Sequence, residues 1–69
     1  MKVTNKNGHS TRYPNHTVKS ITFPRAIECL SAEDCAGNGV SPNEVILLIA
    51  FNDGTAASFI ARNWSITEI

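Results

Sequence analysis

Two apolar runs joined by a turn dominate the sequence, which reads Val45-Ile-Leu-Leu-Ile-Ala-Phe51, then Asn52-Asp53-Gly54, then Thr55-Ala-Ala-Ser-Phe-Ile-Ala61. β-Branched and aromatic residues favour extended backbone. An Asp-Gly pair between two such runs is among the strongest short-range signals of a β-hairpin. The sequence therefore predicts an antiparallel hairpin here, and with Asp53 and Gly54 as the turn residues Leu48 lies opposite Phe59.

The first strand of this hairpin is apolar on both faces. Side chains alternate along a strand, so one face carries Val45, Leu47, Ile49 and Phe51, and the other carries Ile46, Leu48 and Ala50. Such a strand needs two coverings, either a helix and another sheet or a second subunit. Because one short helix covers only one face and the terminal segments are polar, we expect a homodimer or larger symmetric oligomer.

Four further segments are predicted to be strands. Lys6-Asn7-Gly8 offers a turn between Lys2–Asn5 and His9–Tyr13, which predicts a short N-terminal hairpin. Thr17–Phe23 is rich in β-branched residues and also reads as a strand. The alternation in Trp64–Ile69 predicts a last strand, with Trp64 and Ile66 directed inward.

One helix is predicted before the long apolar run. Pro24 suits the first helical position, and apolar side chains recur at near-helical spacing from Arg25 to Cys35. A competing start is Ser31, because Ser31-Ala-Glu-Asp34 has the form of a capping box. Both alternatives end the helix at Gly37-Asn38-Gly39. The sequence thus predicts one small α+β domain over residues 1–69, β-rich, with an antiparallel sheet of about five to six strands and one helix.

The charges balance in total but not along the chain. Six Lys or Arg face six Asp or Glu, yet most of the cations precede the first acid, Glu28; these are Lys2, Lys6, Arg12, Lys19 and Arg25. This asymmetry favours an anionic partner, although the cations could equally be spaced along solvated strand faces. Since the chain shows neither a membrane span nor a secretory signal, we expect a cytoplasmic protein with no membrane partner.

The cysteines and histidines predict neither a disulfide nor a metal site. Cys29 and Cys35 are too far apart to bridge on a helix and are expected to be free thiols, whereas in a loop they could pair. His9 and His16 are also zinc-ligand types, but the spacings H-x6-H and C-x5-C are not those of structural zinc sites. No nucleophile has a local catalytic signature, so we expect no metal, no cofactor and no enzymatic activity.

The segment Arg62-Asn63-Trp64 is the main candidate for a binding site. An arginine, an asparagine and an aromatic ring at one strand end suit an anion and a stacked base or partner side chain. Together with two residues of the N-terminal third, the predicted ligand-binding set is Arg12, Tyr13, Arg62, Asn63 and Trp64. In the alternative, Trp64 fills the core, and Arg62 and Asn63 are ordinary loop residues.

Three stretches of strand and turn residues carry a resemblance to known proteins: Ser-Ile-Thr-Phe at 20–23, the run from Pro42 to Phe59, and Asn-Trp-Ser-Ile at 63–66. They resemble short open reading frames of bacteriophages and prophages. In size and style the chain is similar to anti-CRISPR proteins and to anti-Thoeris and anti-CBASS sponges. Those families inhibit host defence by blocking a nuclease or by sequestering a cyclic nucleotide signal, which implies partners of the same kinds here.

These features together predict a non-enzymatic binding or inhibitor protein. The first hypothesis is an oligomeric sponge that sequesters a small anionic, cyclic nucleotide. One alternative is an inhibitor that blocks a host protein surface, such as that of a defence nuclease. The other is a small nucleic-acid-binding β-domain that uses the cations of the N-terminal third. Nucleotides alone should change the melting temperature of a sponge but not that of a protein blocker.

Overall fold

The chain forms six strands, which divide into two antiparallel sheets of three strands each. The computed structural model describes every residue from 1 to 69. Its strands are β1 (Lys2–Asn5), β2 (Ser10–Arg12), β3 (Val18–Thr22), β4 (Ile46–Phe51), β5 (Ala56–Ile60) and β6 (Trp64–Glu68). The strand orders are β2-β1-β6 and β3-β4-β5. A small β-rich fold is confirmed, but the prediction of one sheet is wrong, because β1 pairs with β6 and not with the central hairpin.

The predicted central hairpin is present as β4 and β5, with the three-residue loop Asn52–Gly54. The Phe51 amide donates to the Thr55 carbonyl at 2.9 Å, and the Gly54 amide donates to the Phe51 carbonyl at 3.2 Å. Gly54 has φ +89°, the left-handed conformation that ends many three-residue hairpin loops. The predicted register is wrong by one residue, because this longer loop places Leu48 opposite Ser58.

The N-terminal hairpin, β1 and β2, repeats the same loop geometry at Lys6–Gly8. The Asn5 amide donates to the His9 carbonyl at 2.8 Å, and Gly8, at φ +87°, donates to the Asn5 carbonyl at 3.1 Å. The Asn5 side chain adds support, since its Oδ1 accepts from the amides of Asn7 and His9. This hairpin confirms the prediction from Lys6-Asn7-Gly8.

Two short helices replace the single predicted one. They are α1 (Ala26–Cys29) and α2 (Ala32–Gly37), and a 3-10 turn, Asn15–Thr17, precedes β3. Ser31 caps α2 by accepting the Asp34 amide at 3.1 Å. A capping residue has extended dihedral angles, so α1 cannot continue through it. Two separate helices therefore form, and each begins close to one of the two starts that the sequence indicated.

The central strand β4 is covered on both faces by its own chain. Its Leu47 and Ile49 are buried with Val3 of β1 between the two sheets. On the opposite face, Ile46 is buried with Ala26 and Cys35 of the two helices. The sequence left two possibilities open, a helix with another sheet or a second subunit, and the first is the one present. The helices cover one face of β4, and the sheet that contains the terminal strands covers the other.

This arrangement removes one argument for self-association. The sequence predicted that the terminal segments were too polar and short to cover β4, yet Val3 from one end and Trp64 and Ile66 from the other pack against that core. Trp64 and Ile66 point inward as predicted. A second copy of the chain is not needed to bury this face, so the expectation of an oligomer now depends on exposed strand edges and on apolar side chains left at the surface, such as Phe23.

The cysteines and the helices bear on two further predictions. Cys29 is exposed, Cys35 is buried, and neither is in a disulfide, as predicted. Neither helix has the length or the apolar character that a membrane crossing requires.

Candidate functional site

Three of the five predicted site residues, Arg62, Asn63 and Trp64, line one shallow cavity of about 250 Å³. We call this cavity the polar depression. It is lined by Thr4, Asn5, Lys6, Ala61, Arg62, Asn63, Trp64, Ser65 and Thr67. These residues carry two cations, three hydroxyl groups and two amides, and none of them is a carboxylate.

The polar depression forms where two turns meet at one end of the β2-β1-β6 sheet. The first is the hairpin loop that contains Lys6, and the second is the turn between β5 and β6. The Lys6 amide donates to the Asn63 carbonyl at 3.0 Å and ties the turns together. Asn5 lies opposite Trp64 in the register of β1 and β6, which fixes both walls relative to the sheet. Sequence reasoning missed Lys6 as a site residue, because only the β1–β6 pairing brings it to Asn63.

Arg62 is oriented by a carboxylate behind it. Its Nε atom lies 2.9 Å from Oε1 of Glu44, and 71% of the Arg62 side chain is exposed. This Oε1 atom is shielded from solvent and accepts no hydrogen bond of good geometry, so the pair is held mainly by charge. The ion pair engages Nε, and the terminal nitrogens of the guanidinium donate no hydrogen bond within the protein.

Trp64 serves the core and the polar depression together. Its ring packs on that of Phe59 with centroids 4.8 Å apart, within the hydrophobic cluster between the sheets. The ring is nevertheless only half-buried and contributes to the lining of the polar depression. The two alternatives for Trp64 are therefore compatible: most of the ring fills the core, and an exposed part is left at the surface.

Arg12 lies away from this group of residues. Its guanidinium donates to both carboxylate oxygens of Glu68, at 3.1 and 3.4 Å, and Lys2 lies 4.0 Å from the same carboxylate. Since Glu68 and Trp64 are the two ends of β6, Arg12 is held about 13 Å along the strand from Trp64, and it does not line the polar depression. The hydrogen bond and the charge of Arg12 lower the pKa of Glu68. The positive charge of Arg12 is thus largely matched within the sheet.

Tyr13, the fifth predicted residue, lines a different and larger cavity of about 450 Å³. We call it the aromatic pocket; it is lined by Tyr13, His16, Thr17, Phe51, Asn52, Asp53 and Thr55. The rings of Tyr13 and Phe51 pack with centroids 5.1 Å apart at 45°. Sequence reasoning treated Asp53 only as a turn residue, and nothing local indicates that its loop reaches the 3-10 turn. The structure therefore divides the five predicted residues among three places.

The remaining chemistry of the chain is sparse. No three side chains among His, Cys, Asp and Glu are grouped as a metal ion would require. Comparisons with models of known protein families, with characterised proteins and with solved structures give no match to this chain. The features that bear on function are therefore the polar depression, the aromatic pocket and the exposed surface.

Proposed function

We propose that the protein is a non-catalytic binding protein that holds a small anionic ligand of nucleotide type in the polar depression. One observation carries this proposal: Lys6 and Arg62, from turns far apart in sequence, line a cavity with no carboxylate in its lining, and the Glu44 carboxylate that pairs with Arg62 engages only its Nε atom. Two cations beside hydroxyl and amide donors suit the several oxygen acceptors of a phosphate.

The orientation of Arg62 supports the proposal. Because Glu44 engages the Nε atom, the guanidinium is partly ordered before a ligand arrives, which reduces the entropy lost on binding. Its terminal nitrogens then remain available to donate to a phosphate. The exposed part of Trp64 offers a surface on which a base can stack. Sequestration of such a ligand is also the activity that the resemblance to phage counter-defence sponges implies.

Calorimetric titration with a panel of cyclic nucleotides tests this function. We expect one or more of them to bind, and Lys6→Gln and Arg62→Gln each to weaken binding by about threefold to tenfold, as lost charged contacts at an exposed site do. Lys19→Gln is the matched control, because Lys19 is an exposed lysine of β3 outside the polar depression. Binding that is absent across the panel, or that Lys19→Gln weakens as much as Lys6→Gln does, contradicts the proposal.

An exposed apolar patch favours a second candidate function, the blocking of a host protein surface. The patch consists of Ile21, Phe23 and Val45, which are 39%, 61% and 44% exposed. Ile21 lies in β3 and Val45 directly precedes β4, and a bridge between Arg25 and Val45 continues the β3–β4 pairing past Phe23. Exposed apolar residues clustered in this way are typical of interaction sites. Sizing decides between its occupants, since a dimer that buries Phe23 uses the patch for itself, and a monomer leaves it free for another protein.

A further inference from the structure

The aromatic pocket is a built cavity that the proposed function does not use. Two segments far apart in sequence form its walls, the 3-10 turn Asn15–Thr17 and the β4–β5 loop. Two hydrogen bonds join them: the Asn52 amide donates to the Thr17 carbonyl at 2.9 Å, and Asn52 Nδ2 donates to the His16 carbonyl at 2.8 Å. Thr17 also donates from its hydroxyl to the Pro14 carbonyl, which closes the 3-10 turn. The pocket is thus fixed by contacts that do not involve its aromatic floor.

Some polar groups on the walls of the aromatic pocket make hydrogen bonds within the protein, and others make none. Oδ1 of Asp53 accepts both the amide and the hydroxyl of Thr55, at 3.0 and 2.6 Å. The amide nitrogens of Asn52 are engaged by the 3-10 turn. Three groups make no hydrogen bond within the protein: the second carboxylate oxygen of Asp53, the hydroxyl of Tyr13 and the ring of His16.

The charge of the lining is negative. With histidine neutral, Asp53 carries the single formal charge among the lining residues. Hydrogen bonds from the Thr55 side chain and then from its backbone lower the pKa of Asp53, which keeps the carboxylate ionised at neutral pH. The aromatic residues Tyr13 and Phe51 also line the pocket, and π-systems add negative potential to a lining of this kind.

We propose that the aromatic pocket binds an organic cation, an ammonium or guanidinium group carried on an apolar body. The cation is attracted by the Asp53 carboxylate and by the two ring faces, and the apolar body covers the aromatic floor. This site is distinct from the polar depression. Phe51 ends β4 and Val45 directly precedes it, about 20 Å away, with the aromatic pocket at the first residue and Arg62 near the second. The two sites therefore prefer ligands of opposite charge.

Titration of the full chain with benzylamine, followed by amide NMR, tests this proposal. Benzyl alcohol is the neutral probe of the same shape. We expect benzylamine to shift the amide resonances of residues 52–55, and to bind about threefold to tenfold more tightly than benzyl alcohol. Asp53→Asn should remove that preference, while its side-chain oxygen can still accept from Thr55 and preserve the loop. Asp34→Asn, the same change at an exposed position of α2, should leave the preference intact.

Either of two affinity results would overturn the proposal: equal affinity for benzylamine and benzyl alcohol, or a preference for benzylamine that survives in Asp53→Asn. Shifts of residues 52–55 caused by a cyclic nucleotide instead of benzylamine would also overturn it, whereas shifts at Lys6 bear only on the polar depression. An arginine-containing peptide distinguishes the two sources of the cation. Tighter binding of the peptide than of benzylamine assigns the pocket to a basic side chain of a partner, and weaker binding assigns it to a free amine.

Discussion

Replacement of Gly54 by valine tests the loop on which both the β4–β5 hairpin and the aromatic pocket depend. Gly54 has φ +89°, and a Cβ atom built there meets no atom within 4 Å. The cost of the substitution is therefore backbone strain alone, with no steric clash. An L-residue in the left-handed region costs about 1–2 kcal/mol, and a β-branched residue lies at or above the upper end of that range.

For a domain of this size, each kcal/mol lost lowers the melting temperature by roughly 4–8 °C. We therefore expect Gly54→Val to melt roughly 8–16 °C below the parent in differential scanning calorimetry. Gly37→Ala is the matched control, because Gly37 is helical, is not at positive φ, and also has open space at its Cβ position. It should raise the melting temperature slightly, since alanine favours helix over glycine by about 0.5–1 kcal/mol. A Gly54→Val variant that melts with the parent would refute the three-residue loop.

Three further predictions concern the thiols, acid stability and assembly. In the native protein one thiol should react quickly with a thiol reagent, the exposed Cys29, and denaturation without reductant should expose a second, Cys35; finding no free thiol would reveal a disulfide. The lowered pKa values of Asp53 and Glu68 mean that their stabilisation is full above roughly pH 4–5 and is lost as the pH falls through the native values. Glu68→Gln should therefore flatten the acid limb of a plot of melting temperature against pH, and an unchanged limb would contradict this linkage. Light scattering at micromolar concentration should give the mass of a dimer that Phe23→Ser dissociates, whereas a monomer mass for the parent would refute self-association.

The hairpins were predictable because their signals are local. Lys6-Asn7-Gly8 and Asn52-Asp53-Gly54 each place a glycine where the chain needs positive φ, and both glycines adopt it. The register of the second hairpin was not predictable in the same way. With a two-residue loop Asn52 would belong to the strand, whereas with a three-residue loop it belongs to the loop. Hydrogen bonds from Asn52 to His16 and Thr17, which are distant in sequence, hold it in the loop.

The division into two sheets has a similar cause. Every strand was predicted near its observed place, but strand order depends on which partners meet across the whole chain. Val3 and Ile66 are directly opposite in the β1–β6 pair, and no short-range pattern joins residues so far apart. The prediction of a single helix was wrong for a local reason instead. Both helix starts were recognised in the sequence, but they were treated as alternatives. The chain instead begins a helix near each of them.

The candidate site shows the same difference between what local sequence predicts and what distant contacts decide. Arg62, Asn63 and Trp64 are consecutive, so their proximity required no knowledge of the fold. Arg12 was grouped with them by chemistry alone, and the sheet instead pairs it with Glu68. Tyr13 was selected for its ring, which the structure places against Phe51. Residue type therefore indicated which side chains could bind a ligand, but only tertiary pairing decided which of them act together.

The polar depression and the aromatic pocket are built in the same way, and this similarity shows which hydrogen bond each of them depends on. In each, a three-residue hairpin loop is tied by a backbone hydrogen bond to a segment far away in sequence: Lys6 to Asn63 and Asn52 to Thr17. The strand β4 lies between them as a frame buried on both faces. A substitution that loosens one tie should therefore disturb the cavity at that loop more than the other, because each tie is a separate hydrogen bond. The opposite ligand preferences that we propose for the two cavities then require no coupling between them.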